Sequence, residues 1–509
     1  MNLSGRIGLA AALFASSAVG LILEIVAARL IAPYVGMSIY TWTAIIATVL
    51  AGMSAGHWIG GRLSERPDRN GLSIIALMLA LATLNVLAIP LLLRWAGPVL
   101  ISADVAIVVA VIGLSTVLFF VPSLLIAGVT PILTRIAIDT EPDNRGIVIG
   151  RMFALGAGGA ILGTLTAGFV FISWIGSQGT LIAVAAALGL MSAGFAAWAR
   201  HLKLSHAALA LVIAAGVLAV LRADDLLASV CDAESRYYCI RVIDYSHETE
   251  SESRLMVLDH MGHGINDRDD PVRLHSSYTE LLDRMVQIRF PERDDLSTYF
   301  IGGGAYTIPR AWAVTYPRGR HEVAEVDPMV TKLAQDMMWF EPHPSIRIAH
   351  ADARVQLRQM SGNSLDVVVG DAFHDISVPQ HLVTVEFARE IRAKLNPDGV
   401  YVMNVIDGAR EPKFLLAMLK TLYEVFPVVE IWVDTQQMGG GERLTYLLSA
   451  AATPVPVPVL VSRHAEGRRW QRVNPGDIAG TLTPDDVPVL TDDLAPVDRL
   501  IGAVAERAR

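Results

Sequence analysis

Charge is what this chain has least of. Only 18% of its 509 residues are Asp, Glu, Lys or Arg, while 53% are hydrophobic, against roughly 25% charged in an ordinary soluble domain. The shortage is local. Residues 1–222 are nearly continuous apolar blocks, and residues 223–509 have the composition of a soluble domain. The net charge of −9 excludes a general nucleic-acid role, which needs a basic footprint. Cysteine is scarce as well. The two present, Cys231 and Cys239 in CDAESRYYC, form a disulfide if that stretch is exported, and are two small buried thiols if it stays in a reducing compartment. Phosphate cradles are missing: no glycine-rich loop ends in Gly-Lys-Ser/Thr, and the third glycine of a dinucleotide fingerprint is replaced by Thr307. There is no internal repeat.

What is present in the first part is length. Segments near 7–32, 38–60, 72–93, 99–127, 147–173, 179–198 and 204–221 each approach or exceed the ~20 residues that cross a bilayer. The fourth can continue through Pro122 and Pro131 as a broken helix. Arg6 ahead of the first run has the look of a signal peptide, but Glu24, Arg29 and the runs that follow argue for a retained helix. Alternate loops differ in basic residues. Arg6, then Arg62, Arg66 and Arg69, then Arg135, Arg145 and Arg151, then Arg200 and Lys203 fall on one side, and Arg29, Arg94 and Arg222 on the other. The basic side is the cytoplasmic one. Seven spans then put residues 223–509 outside, whereas six or eight put them in the cytoplasm. GHWIGGRLSERPDRNG (56–71) resembles the short loop between the second and third helices of major-facilitator transporters, and GRMFALGAGGAILGTLTAGF (150–169) is a small-residue helix suited to close packing. The intramembrane Glu24 and Arg29 are either functional, mutually paired, or an acid beside an arginine that reaches the interface.

The second part alternates. RYYCIRVIDY and SRLMVLDHMGHG read as a β-hairpin, and YTELLDRMVQIRF (278–290) as a helix. From 297 onward, apolar strands alternate with helical runs: STYFI, HEVAEV, IRIAHA, LDVVVG and GVYVMNV, closed by the adjacent strands VVEIWVD and RLTYLLSA. That pattern predicts an α/β doubly wound sheet of seven strands, of the class I adenosylmethionine-dependent methyltransferase type, behind an α-helical transmembrane domain and a small β-hairpin domain. The divisions expected are 1–222 (membrane), 223–296 (linker, hairpin and helix), 297–450 (Rossmann-like) and a 451–509 extension whose TPVPVPVLV is extended.

Ligands of such sheets bind outside the carboxyl ends of the strands. The first strand ends on Gly302, Gly303 and Gly304, the second on Glu325, the third on Asp352 and the fourth on Asp371. Without a phosphate signature the glycines suit a nucleoside lacking a pyrophosphate. Glu325 suits the ribose hydroxyls, Asp352 an adenine amino group, and Asp371 stands at the mouth of the same cleft. Singly, each acid reads as a solvated cap; four successive strand ends together point to an adenosyl ligand. His260, His263 and His275 with Asp259 match no standard metal spacing, so no metal is expected.

The set LMVLDHMGHG, YTELL, YFIGGG, EVDP, ADAR and GDAF resembles the spermidine synthase (polyamine aminopropyltransferase) family over roughly residues 234–450. The whole chain, with its apolar helices and LTDDLAPVDRL, resembles the membrane-fused spermidine synthase-like proteins of bacteria. The resemblance implies an enzyme of the bacterial inner membrane with no tightly bound cofactor. Decarboxylated S-adenosylmethionine would be its co-substrate on Gly302–Gly304, Glu325 and Asp352. Asp371 would be the base that deprotonates a polyamine or other small amine such as putrescine. Tyr278, His374 and Asp375 would touch the amine, and a homo-oligomer is expected because soluble relatives form one. The chain departs from the family pattern at the amine end. The acid after the glycines is Ala305, the residue after the helix tyrosine is Thr279, the second acid beyond Asp371 is His374 with Asp375 beside it, and the first-strand Gln is Tyr238. Ala305 leaves room for another donor tail. An S-adenosylmethionine-dependent methyltransferase, and a non-catalytic sensor or transport-coupled module, are therefore the alternatives.

Overall fold

A computed structural model describes residues 3–65, 71–102, 107–199, 228–373, 377–438 and 443–505. Two compact units, Met1–Cys239 and Ile240–Arg509, follow one another along the chain.

The first unit is helical. Among the described residues, five stretches are long and apolar enough to cross a membrane: Gly5–Val35, Ile39–Ser64, Gly71–Gly97, Val108–Thr140 and Pro142–Ala199. In detail these are α1 (Leu3–Val35), α2 (Ile39–Ser64), α3 (Gly71–Ser102), α4 (Ile107–Ser115), α5 (Val121–Ala127), α6 (Val129–Thr140), α7 (Arg145–Thr166) and α8 (Ile172–Ala199). Single π-helical turns at Thr116–Phe120 and Ala167–Phe171 interrupt the fourth and fifth stretches. Gly176 breaks the fifth with φ 68° and ψ 179°, so two helical passes are merged there. The expected span at 204–221 lies outside the described residues.

Small residues govern the packing of this unit. A Cβ on Gly56 would stand 2.2 Å from the Leu124 carbonyl oxygen, and one on Gly60 2.1 Å from that of Gly128, so only glycine lets α2 lie against the broken fourth stretch. Gly159 and Gly163 of α7 meet the carbonyls of Phe14 and Ala18 on α1 in the same way, as the small-residue run at 150–169 predicts. Arg29 does not take Glu24 as its partner. It donates to the carbonyls of Ser235, Tyr237 and Tyr238, at 2.7 Å for Tyr237. Cys231 and Cys239 are joined as a disulfide, which resolves the alternative left open by the sequence.

Strands begin at the end of the first unit and continue into the second, where the chain forms more than the expected hairpin. Counting Ala233–Glu234 as β1, β2 (Cys239–Asp244), β3 (Ser253–Leu258) and β4 (Met261–Asp267) make an antiparallel meander. The run read as one strand, SRLMVLDHMGHG, turns at Asp259, whose φ of 54° is left-handed, and its second half starts β4. Helix α9 (Ser277–Arg289) follows.

Among the described residues the main sheet has nine strands, not seven. They are β5 (Ser297–Ile301), β6 (Arg320–Ala324), β7 (Ile346–Ala349), β8 (Leu365–Gly370), β9 (Leu395–Gly408), β10 (Val428–Asp434), β11 (Arg443–Ala451), β12 (Val459–Val461) and β13 (Arg469–Val473), in spatial order 12-13-10-11-9-8-5-6-7. The seven from β10 across to the edge strand β7 are the predicted set. Strands β5 to β9 pair in parallel, and β11 returns antiparallel between β9 and β10. The extra pair comes from the C-terminal extension: β13 pairs antiparallel with β10, and β12 with β13. Helices α10 (Thr307–Thr315), α11 (Pro328–Met337), α12 (Ala353–Arg358), α13 (Val385–Lys394) and α14 (Lys413–Tyr423) connect the strands. All six residues of β8 are buried, as expected of a parallel strand covered on both faces.

Candidate active site

Strand order reverses beside β5, which has β6 on one side and β8 on the other. A doubly wound sheet opens its ligand crevice at such a point, and the loops leaving β5 and β8 converge there. The Asp371 amide donates to the Ile301 carbonyl at 3.1 Å, and the Gly302 amide to that of Ala324 at 3.0 Å. Gly302 (φ 97°) and Gly304 (φ 51°) adopt backbone that L side chains avoid. A Cβ on Gly302 would come within 2.9 Å of the Asp371 carbonyl oxygen. Gly302→Ala is therefore expected to cost about 1–3 kcal/mol of stability through backbone strain, read as a lower midpoint in denaturant titration of the full chain.

Glu325 is buried, and its carboxylate faces back into the glycine turn. One oxygen accepts from the amides of Gly303 (2.9 Å) and Gly304 (3.4 Å), and the other from that of Asp327 (2.9 Å). Burial raises its pKa despite those bonds. The structure thus brings Gly302–Gly304 and Glu325 together directly. Asp352 caps α12, accepting from Val355 N–H at 2.9 Å, while its second oxygen meets His381 Nε2 at 2.6 Å. Burial works to raise this carboxyl, but the bonds from Val355 and His381 outweigh it and hold it below its ordinary value.

Asp371 is held from two sides. Tyr278 Oη, from the first turn of α9, donates to one oxygen at 3.0 Å, and Asn404 Nδ2, from β9, to the other at 2.9 Å. Burial pushes its pKa up to about 6, against the pull of those two donors. Burial and the neighbouring Asp371 charge raise the Tyr278 phenol well above its ordinary range, so it stays protonated and donates. The result is a carboxylate oriented by two fixed donors, with a proton affinity near neutrality. His374 and Asp375 lie outside the described residues.

Three features escape a reading of the sequence. Asn404 is one: an amide in the apolar run VYVMNV marks an unusual position, but not its partner. Its Oδ1 is buried and unbonded, leaving one acceptor beside Asp371. Asn266 of β4 is another. It donates to the Ala305 and Met338 carbonyls, both at 2.9 Å, and accepts from Thr307 Oγ1 at 2.7 Å, tying the glycine turn to the meander. The third corrects an expectation. Ala305 is 1% exposed and lies against Gly264, where a Cβ would approach that of Ala305 to 2.7 Å. It therefore closes a packed contact and opens no room for a donor tail. Thr279 is likewise buried, donating to the Ser276 carbonyl. His263, beside Gly304, is kept neutral by burial with its pKa lowered to about 4, and its Nε2 is buried without a partner. Among the described residues no three His, Cys, Asp or Glu side chains converge as metal ligands.

No family model matches the chain. Over 112 residues, 22% of this chain and 38% of the relative, it is 33% identical to the polyamine aminopropyltransferase of Vibrio vulnificus. It is also 29% identical over 123 residues, 22% of this chain and 18% of the relative, to the eEF1A lysine and N-terminal methyltransferase of Xenopus laevis. The matched segment thus spans well under half the length of both curated proteins. Among solved structures, a probable spermidine synthase from Corynebacterium glutamicum is similar at 21% identity and TM-score 0.44, covering 53% of this chain and 99% of that one.

Proposed function

We propose that the second unit is an aminopropyltransferase of the spermidine synthase type, carried on a membrane-anchored helical unit. Its reaction moves the aminopropyl group of decarboxylated S-adenosylmethionine to a small amine such as putrescine. The observation that carries this reading is Asp371: a carboxylate fixed by Tyr278 and Asn404 at the strand crossover, with its pKa raised to about 6. An ammonium is no nucleophile until it loses a proton, and Asp371 is placed to accept it. The freed nitrogen lone pair attacks the carbon next to the sulfonium. The C–S bond breaks with its electron pair going to sulfur, and methylthioadenosine leaves as a neutral thioether. Glu325, standing under the glycine turn, would take the ribose hydroxyls on its remaining lone pairs, and Asp352 with His381 would border the adenine. In this reading the first unit meets the lipid bilayer, and no tightly bound cofactor takes part.

Methyl transfer from S-adenosylmethionine is the second reading. The replacement of the amine-side acid by buried Ala305 favours it, because nothing at that position greets a polycation. One assay separates the two. The purified full chain is given each donor in turn with a panel of amines, and product nucleosides are resolved by chromatography. Methylthioadenosine from the decarboxylated donor alone is the expected result. S-Adenosylhomocysteine from the other donor would establish the methyltransferase, and donor binding without either product would point to a sensor.

A further inference from the structure

The contacts inside the first unit give each helix a direction. Gly159 and Gly163 of α7 meet Phe14 and Ala18 of α1 in ascending order, so these helices run parallel. Gly52, Gly56 and Gly60 of α2 meet Phe120, Leu124 and Gly128 in the same ascending sense. By contrast, Gly189 of α8 faces Thr83 while Ser192 Oγ donates to the Ala76 carbonyl, so α3 and α8 are antiparallel. Two faces result. On the first, Arg6 pairs with Glu141 at 3.1 Å, Gly8 abuts Trp198, and Gly71 abuts Ile136. On the second, Gly97 abuts the Tyr34 ring.

The segment leading to the second unit is fastened to that second face. Arg94, near the end of α3, donates to the Ala228 carbonyl at 3.0 Å. Arg29, near the end of α1, grips the carbonyls of Ser235 and Tyr237. The Ser177 amide, just after the Gly176 break, donates to Glu234 at 2.8 Å. Yet α8 runs from that break to Ala199 on the first face, roughly 33 Å of helix at 1.5 Å per residue, about the thickness of a bilayer core. The chain leaves the first face at Ala199 and is back on the second by Ala228.

From this we infer that the adenosyl-binding unit faces the compartment opposite the arginine-rich loops, that is, the non-cytoplasmic side of the membrane. Arg6, Arg62, Arg135, Arg145 and Arg151 belong to the first face, which the distribution of basic residues makes cytoplasmic. Arg29 and Arg94 belong to the second, and both are engaged by the carbonyls of the docked segment. The Cys231–Cys239 disulfide lies within that segment, where an oxidising compartment preserves it. The consequence for chemistry rests on the proposed function: donor and amine are drawn from outside the cytoplasm. A sulfonium nucleoside is a cation and does not cross hydrocarbon unaided, so a membrane-transfer step for the donor must precede the reaction.

The test uses the full chain in spheroplasts and a membrane-impermeant maleimide, with the wild type as blank. Glu466→Cys introduces a thiol on the exposed surface of the second unit, and Glu65→Cys one on the exposed end of α2. Expected is equal labelling of Glu466→Cys before and after lysis, with Glu65→Cys labelled only after lysis. Any other pattern overturns the inference. Should either variant fail to accumulate, alkaline phosphatase fused after Arg509 is expected to be active and a cytoplasm-only fluorescent reporter dark; the opposite pair of signals overturns it. Neither readout needs turnover, so failure of the proposed reaction leaves this result legible.

Discussion

Asp371→Asn is expected to lower kcat by about 10²–10⁴-fold, the range that a positioned general base contributes, while donor affinity stays near the wild-type value. The argument is one of proton affinities. A primary amine resembles lysine, with a pKa near ~10.4, so it arrives as an ammonium. An ordinary aspartate would be a poor acceptor for its proton. Raising Asp371 from 3.8 to about 6 narrows the mismatch by about 3 kcal/mol at 1.36 kcal/mol per unit. Asn keeps the shape and removes the proton acceptor. Donor affinity is the control, because the glycine turn and Glu325 are held by their own bonds.

The same assignment fixes the sign of the pH dependence. In the proposed reaction Asp371 works ionised, so kcat/KM should rise through pH about 6 and level off above it. Tyr278 donates to the ionised form and lowers the pKa, so Tyr278→Phe must raise it and move the acid limb to higher pH. A shift to lower pH in that variant would contradict the role given to Asp371.

Much of this site was legible because it is written where local pattern and chemistry coincide. Apolar runs ending on glycines or acids mark the carboxyl ends of parallel strands, and β5, β6, β7 and β8 deliver Gly302–Gly304, Glu325, Asp352 and Asp371 to one edge. What was not legible depends on partners far away in sequence. Ala305 is conspicuous by itself, but its meaning comes from Gly264 and Asn266, brought over it by β4. Asn404 is a visible anomaly whose partner lies across a strand pair. The additional sheet edge is a similar case. RWQRV has no clean apolar alternation, and it becomes β13 because β10 offers it an edge and Trp470 a fully buried place. In the first unit, hydropathy shows the spans but not the π-helical turns or the break at Gly176, which neighbouring helices determine.

That unforeseen edge leads to the second large effect. Glu280→Ala, far from any donor contact, is expected to destabilise the protein by about 3 kcal/mol and to depress kcat well beyond KM. Glu280 is 1% exposed, and its carboxylate is the anchor of the β12–β13 turn. It accepts from Ser462 Oγ at 2.6 Å, from the Arg463 amide at 2.7 Å and from Arg468 at 3.4 Å. Three residues earlier, Ser277 Oγ donates to Asp434 at 2.6 Å and accepts from Trp470 Nε1 at 2.8 Å. The C-terminal hairpin therefore clamps the first turn of α9 at both Ser277 and Glu280, and Tyr278 lies between the clamps with its hydroxyl on Asp371. Removing the carboxylate leaves buried amides and Arg468 without their acceptor, which accounts for the loss of stability. Freeing the turn lets Tyr278 drift, which weakens its hold on the base. A purely structural Glu280 would lower the melting temperature and leave the acid limb in place. A positioning Glu280 moves that limb upward, in the direction of Tyr278→Phe. Ser277→Ala, which deletes the hydroxyl shared by Asp434 and Trp470 and leaves the buried indole in place, should move the limb in the same direction on a smaller scale, with a smaller loss of melting temperature than Glu280→Ala.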